Sequence, residues 1–405
     1  MRRPSPVTVV LIPAVLALLT NLATNTVSIP PALVAWVWVA VTAMVTVAVV
    51  VESGGRAAAE PAVATDPCRA LADAVLAELE REERHRRLLD PDPLPVAWTT
   101  AGPPVSDHWS MVRADGRDAP LTLDGEFGGL HRVVDDPALR GRVVLLGAPG
   151  SGKTAVLIKL AVDLLRAGGR IPVYLRLSTW NPDRDPLHDW IGQRIAEDYG
   201  VTAAVDGTGP AAVATSRLVL VLDGLDEMAD ARSRALAVAA LNRSLDRDTR
   251  LVLSCRRDEY VETIDSAEGD VLTGAAVLEL RPPTAADVEH YLVTATRPAH
   301  APRWRDFFAV DRERLGGRAA RALAAPLWVS LARAAYADRA VDPAPMLALP
   351  DEEHIRRHLL DRLVAAQYPD PPIPAADGRV WRRQQAETWL AFLAARLRDR
   401  VGTHD

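Results

Sequence analysis

This 405-residue sequence predicts a mainly parallel α/β sheet with flanking helices, followed by a small all-helical domain and preceded by an N-terminal transmembrane helical hairpin. Three observations carry that expectation. From Val143 onward short all-apolar runs alternate with helical stretches, the pattern of strand–helix–strand units. After Arg281-Pro-Pro the alternation stops and only helical periodicity continues. At the other end, no charged side chain occurs between Pro4 and Val51.

Residues 1–52 are read as two membrane helices. Ala32 to Val51 is about 20 residues long, about 30 Å as a helix at about 1.5 Å per residue, which matches the hydrocarbon core of a bilayer. The stretch from Val7 to about Leu22 or Val27 contains Pro13 and the polar residues Thr20, Asn21, Thr24 and Asn25. It reads as a second span, with the apolar core of a secretory signal as the alternative. Arg2 and Arg3 precede it and no charge separates the two segments, so the positive-inside bias puts both ends in the cytoplasm.

Residues 53–124 follow as a juxtamembrane region. Glu52 to Pro67 is rich in Gly, Ala and Pro and reads as a linker. Arg69 to Leu89 carries a helical pattern that ends in the mixed charge run Glu80-Arg-Glu-Glu-Arg-His-Arg-Arg87, read as a solvated helix face, with a clamp on anionic lipid as the sharper alternative. Pro91 to Pro104 has too many prolines for a helix and is expected to be extended or irregular.

Residues 125–282 are expected to form a nucleotide-binding α/β domain. Gly147-Ala148-Pro149-Gly150-Ser151-Gly152-Lys153-Thr154 fills every fixed position of the phosphate-binding loop pattern, between a strand-like run, Arg142 to Leu146, and a helix beginning at Ala155. Gly147, Gly150 and Gly152 free the backbone to aim successive N–H groups at a phosphate, and the helix that follows adds its positive end. Lys153 would reach the β- and γ-phosphates, and the Thr154 hydroxyl would ligate Mg²⁺. Of the 47 lysines and arginines only Lys153 and Lys159 are lysines, so an arginine-biased chain carries lysine at the position where phosphate binding asks for it.

About 70 residues on, Leu218-Val-Leu-Val-Leu222 delivers Asp223 at the end of an all-apolar run that reads as a central parallel strand, with its ligand-bearing end at the carboxyl side. Asp223 would complete the protein's hold on Mg²⁺ with Thr154. Asp226 and Glu227 stand on the turn that follows. One of them can orient or deprotonate an attacking water: Glu227 is favoured, with Asp226 as the other candidate or as a group held near the metal. Further strands are expected at Ile171–Leu177, Leu251–Cys255 and Ala276–Leu280, with Leu251–Cys255 inserted between the strands of the loop and of Asp223 by analogy with other P-loop ATPases.

Taken together, Gly147–Thr154 and Asp223-Gly-Leu-Asp-Glu227 resemble the NACHT branch of the STAND signal-transduction P-loop NTPases. Arg250-Leu-Val-Leu-Ser-Cys-Arg256 is similar to that family's sensor strand, which implies that Arg256 reads the γ-phosphate, although Arg257 adjoins it. Ala325-Pro326-Leu327 is similar to the proline-bearing segment of its small helical domain, which implies that Pro326 abuts the adenine. Pro91–Val96, Asp107-His-Trp109 and Trp389–Arg396 are similar to membrane-anchored NACHT proteins of actinobacteria. The resemblance implies ATP or ADP with Mg²⁺ as ligands, and a winged-helix domain after the helical one.

Residues 283–405 are expected to be that helical domain. Thr284 is placed to cap its first helix, and Trp304, Phe307 and Phe308 recur at helical spacing as core rather than as a ligand platform. Trp381 to Leu397 reads as a helix without a partner before the sequence ends at Asp405, so the region is read as truncated or as having lost the winged helix.

Composition narrows the partners. A net charge of −6 and no basic stripe argue against nucleic acid. Two cysteines, Cys68 and Cys255, are too few for a disulfide framework or a zinc site. A guanine-reading Asn/Thr-Lys-x-Asp loop has no lysine to supply it beyond Lys159, so ATP is preferred to GTP. The function expected is a membrane-anchored, slowly hydrolysing ATPase that switches conformation and self-oligomerises, in defence or stress signalling as the resemblance implies. The alternatives are a motor ATPase for transport or remodelling and a nucleotide-binding scaffold without hydrolysis.

Overall fold

The computed structural model describes residues 66–401 apart from 87, 89–92, 202–203, 206–211, 214, 247–248, 338–340, 370–371 and 373–378. The two expected membrane segments of residues 1–52 and the linker up to residue 65 lie outside the described residues. Among the described residues no helix is long and apolar enough to cross a membrane.

The chain order begins with helix α1 (Pro67–Arg86) and strands β1 (Ala97–Ala101), β2 (Gly125–Glu126) and β3 (Arg142–Leu146). Helix α2 (Lys153–Ala167), β4 (Ile171–Arg176), α3 (Leu187–Tyr199), the short β5 (Ala204–Val205) and β6 (Ala212–Val213), and β7 (Leu218–Asp223) follow. Then come α4 (Ala231–Ser244), β8 (Arg250–Cys255), α5 (Arg257–Asp265) and β9 (Ala275–Arg281). The helical part comprises α6 (Ala285–Thr294), α7 (Pro302–Leu315), α8 (Arg318–Ala322), α9 (Pro326–Ala335), α10 (Glu352–Gln367) and α11 (Arg383–Val401).

Seven strands form one sheet in the order β2-β1-β9-β3-β8-β7-β4. The five strands from β9 to β4 are parallel, and β1 and β2 are antiparallel additions at one edge. Strand β8 therefore lies between β3 and β7, as the sequence predicted. Every residue of β3 and of β7 is buried. Alternate residues enter separate clusters: Val143, Leu145, Val219, Val221 and Val252 join one, and Val144, Leu146, Leu220, Leu222 and Leu253 another. That alternation is why Val143–Leu146 and Leu218–Leu222 hold no polar side chain. Both faces of the sheet are covered, so only the carboxyl edge is available for ligands.

The segment before residue 125 belongs to this α/β core, which places the edge of the domain earlier than the sequence reading did. On α1, Cys68, Leu71, Val75 and Leu79 form a stripe at helical spacing, and it packs in one cluster with Val173 and Leu175 of β4 and Ile158 of α2. The mixed charge run supplies its outer face through the pairs Arg81–Glu78 and Arg84–Glu80. Within the proline-rich stretch, β1 pairs with β9 from Ala97↔Arg281 to Ala101↔Val277, and the Trp98 indole, buried, donates to the Leu123 carbonyl. The alternation of an edge strand is short here, and the flanking prolines hide it.

The helical part has its own core. Thr284 caps α6 in a reciprocal box with Asp287, as its position predicted. Trp304, Phe307 and Phe308 are buried and pack edge-to-face or stacked with one another and with Tyr336. The fully buried Asp311 carboxylate accepts from the Ala319 and Ala320 amides at 2.9 Å each, satisfying the first N–H groups of α8. On α11, Trp389, Leu390, Phe392 and Leu393 are exposed.

Candidate nucleotide-binding site

The loop after β3 turns sharply because Gly150 and Gly152 take left-handed backbone angles, φ +73° and +93°. It is anchored at its start, where the Gly147 amide donates to the Cys255 carbonyl at 3.2 Å. Its end is the first turn of α2, so the open amides of that helix face the space above the loop. Inside the loop the Ser151 hydroxyl is buried without a hydrogen-bond partner. An unsatisfied buried hydroxyl within a ring of glycines fits a loop built to close on a phosphate.

Lys153 folds back onto this loop, its Nζ donating to the carbonyls of Gly147 at 2.7 Å and Ala148 at 3.3 Å. Burial pulls its pKa below the usual lysine value; the charge of Asp226 opposes that shift and Arg256 adds to it. An ammonium resting on two carbonyls is positioned to exchange them for phosphate oxygens.

Asp223 closes β7, buried, and three hydroxyls meet its carboxylate. Thr154 Oγ1 donates to Oδ2 at 2.8 Å, Tyr174 Oη donates to the same oxygen at 2.6 Å, and Ser254 Oγ donates to Oδ1. The two residues expected to hold Mg²⁺ are thus in direct contact. Both supply hard oxygen atoms, suited to a cation that takes its other ligands from phosphates and water.

Gly224, at φ +81°, turns the chain out of β7 and separates the fates of the next two acids. Asp226 is turned inward, its side chain 5% exposed, and pairs with Arg256 Nε at 2.9 Å while accepting the Arg256 amide at 3.1 Å. Glu227 is exposed on the wall of the cleft. The two adjacent arginines diverge as well: Arg256 lines the cleft, whereas Arg257 pairs with Glu279 of β9 at 2.7 Å. Cys255, one residue before them, is fully buried, and its thiol is pushed up by burial and then by the charge of Asp226.

The helical part supplies the opposite wall. Pro326 opens α9 against the loop, its Cγ 3.5 Å from where a Cβ on Gly152 would stand, and the Leu327 amide donates to the Gly150 carbonyl at 3.2 Å. Between the two walls lies a cavity of about 750 Å³, a size suited to a nucleotide. Gly150, Ser151, Gly152, Lys153, Thr154, Pro149, Asp223, Asp226, Glu227, Arg256 and Pro326 all line it. Every residue expected to touch nucleotide or water except Gly147 and Ala148 is therefore on its surface, and those two serve Lys153 as an anchor and a resting place.

Several lining residues were not anticipated. Val96 and Phe127 approach from the β1 side, Arg86 from the end of α1, and Tyr291, Arg333 and Trp304 from the helical part. Tyr174 and Ser254 were missed as partners of Asp223. For Ser254 there was a signal, a hydroxyl in the otherwise apolar run Leu251–Cys255; for Tyr174 the strand Ile171–Arg176 gave none.

Strand, loop, helix, acidic strand and arginine strand together define a P-loop NTPase. Residues 141–297 match the family model described as NACHT domain, which makes this portion an NTPase domain and the chain an ATPase. No curated protein matches the chain. Among solved structures the chain is similar to the Aeropyrum pernix ORC2 protein in its ADP form, at 15% identity and TM-score 0.32, over 58% of this chain and 67% of that one. It is also similar to C. elegans PCH-2, at 14% identity and TM-score 0.30, over 58% of this chain and 66% of that one. It spans about two thirds of the length of each, and at these scores the likeness is loose.

Proposed function

We propose that the chain is a membrane-anchored NACHT ATPase of the STAND signalling type, in which ADP holds the α/β and helical parts together and ATP with Mg²⁺ releases them to self-associate. The observation that carries this reading is the Leu327 amide bonded to the Gly150 carbonyl at 3.2 Å, because it joins the helical part to the loop that would hold the phosphates. A ligand in that loop acts on both parts at once, and a ligand shifts an equilibrium only through such differential contacts. The apolar run from Ala32 to Val51 is the basis for the membrane anchor, and the positive-inside bias for a cytoplasmic nucleotide site.

In this reading the loop amides and Lys153 bind the β- and γ-phosphates. Thr154 and Asp223 hold Mg²⁺, which when bound neutralises phosphate charge. Glu227 takes the proton of the attacking water, and Pro326 borders the base. Arg256 must leave Asp226 to reach a γ-phosphate, so ATP and ADP differ in whether that ion pair survives. Slow turnover follows naturally when the nucleotide state is itself the signal.

The test is the nucleotide that co-purifies with the full chain extracted in detergent, followed by its mass on exchange into ADP or a non-hydrolysable ATP analogue. Near-stoichiometric ADP and a larger assembly only with the ATP analogue are expected, both lost in Lys153→Ala. An empty site with fast turnover and no change in mass would overturn the switch in favour of the motor ATPase.

A further inference from the structure

Asp223 is held from both neighbouring strands. In the sheet β7 lies between β8 and β4, and each contributes one hydroxyl to its carboxylate, Ser254 from β8 to Oδ1 and Tyr174 from β4 to Oδ2. The third donor, Thr154, belongs to the phosphate-binding loop. These donors differ in what they are free to do. Thr154 can ligate a cation arriving with the phosphates through an oxygen lone pair while its proton stays on Oδ2. Ser254 is fixed, because its oxygen also accepts the Gly224 amide at 2.8 Å. Tyr174 is fixed as firmly: its carbonyl accepts from Tyr199 Oη at 2.8 Å, and its ring lies against the apolar core.

The Tyr174 hydroxyl has one proton to give. A carboxylate only accepts, so that proton points at Asp223. Arg176 stands two residues along the same strand, opposite Asp223 in the β4–β7 register.

We propose that Tyr174 is a positioning residue of the nucleotide site, whose hydroxyl, together with that of Ser254, keeps Asp223 aimed at the cation. A carboxylate has about four acceptor positions. With Ser254 and Tyr174 on its inner side, the capacity left open faces Thr154 and the cleft. Partners of metal-holding groups commonly matter about tenfold or more to metal affinity without touching the ion. This inference rests on reading the cleft as an ATP site.

The test uses the full chain and a fluorescent ADP, with Mg²⁺ titrated. Tyr174→Phe keeps the ring and removes the hydroxyl. The Mg²⁺ concentration at half-saturation should rise about tenfold, while metal-free ADP affinity stays within about twofold and the melting temperature of the nucleotide-free protein barely moves. Added to Asp223→Asn, Tyr174→Phe should have no further effect on the Mg²⁺ midpoint, since the two act through one carboxylate. Tyr174→Leu, a second variant without the hydroxyl, should shift the midpoint the same way by about tenfold, and it decides the matter if Tyr174→Phe does not fold. An unchanged midpoint in both variants, or equal loss of metal-free and metal-bound affinity, overturns the proposal. Wild-type protein that binds no ADP, or binds it without regard to Mg²⁺, would sink the ATP-site reading instead.

Discussion

The Thr154 hydroxyl donates to Asp223 Oδ2 at 2.8 Å, so two residues 69 apart in sequence, one on the phosphate-binding loop and one at the end of β7, are in direct contact. The bond puts the two groups proposed to hold Mg²⁺ on one side of the cleft. Asp223→Asn keeps the shape and removes the charge. It should weaken Mg²⁺-dependent nucleotide binding about tenfold to a hundredfold while metal-free binding changes little. Equal losses with and without Mg²⁺, in paired titrations, would show that Asp223 is only structural.

Asp226 and Glu227 are neighbours with opposite surroundings. Asp226 is committed to Arg256 through its side chain and through the Arg256 amide, while Glu227 stands exposed on the cleft wall. A base must be free to take a proton, and a carboxylate shared with a guanidinium is a poor one. Glu227→Gln should therefore lower the rate of phosphate release by about 10²–10⁴-fold with nucleotide affinity retained. If Asp226→Asn abolishes release and Glu227→Gln does not, the roles are reversed.

The contrast between these two acids shows what the sequence could and could not convey. Gly147–Thr154 and Asp223 were legible because their spacing and strand context follow from what phosphate binding requires, while Arg256 was named through the family resemblance and the order β3-β8-β7 by analogy. Which of Asp226 and Glu227 is paired with Arg256 and which stands exposed on the cleft wall depended on the turn at Gly224, which spacing does not encode. Strand β1 was illegible because its pairing with β9 joins residues far apart in sequence, and Tyr174 because a tyrosine in an apolar strand is usually just core. Helix α1 looked like a charged juxtamembrane rod, yet Leu71, Val75 and Leu79 are buried in the sheet's own cluster.

Cys255 gives a prediction on pH. It is fully buried at the end of β8, and burial, then the charge of Asp226, raises its thiol pKa above the usual value. A group whose folded pKa is raised contributes stability that is intact below its unfolded pKa, about 8.5, and is lost as pH rises beyond it. Stability should therefore fall above about pH 9, by up to about 1.4 kcal/mol per pH unit from this thiol alone. Buried tyrosines such as Tyr260 act in the same direction at higher pH. Comparing urea unfolding of wild type and Cys255→Ala between pH 7 and 10 isolates the thiol. Parallel curves would mean that it carries no pH dependence.

Gly150 is where the helical part meets the loop. At φ +73° its backbone suits few residues with a Cβ, and a Cβ there would lie 2.8 Å from Leu327 Cβ. Gly150→Ala should cost about 1–3 kcal/mol of stability, and it should break the Leu327–Gly150 bond that couples the two parts. Limited proteolysis between residues 281 and 326 should quicken and nucleotide affinity should fall. Unchanged proteolysis together with unchanged binding would remove Gly150 from the coupling.

Arg256 makes the sharpest discrimination. Its Nε is 2.9 Å from Asp226 and its Nη1 3.2 Å from Glu259, so its charge is partly satisfied by these two carboxylates. Reaching a γ-phosphate means exchanging those partners for a more highly charged one, and ADP offers no such exchange. Charge-assisted hydrogen bonds contribute about 1.5–3 kcal/mol, so Arg256→Ala should lower ATP affinity about tenfold to a hundredfold and leave ADP affinity within about threefold. Competition of ATP and ADP against one fluorescent nucleotide measures both in a single protein. A parallel fall for the two would mean that Arg256 shapes the site through Asp226 and does not read the γ-phosphate.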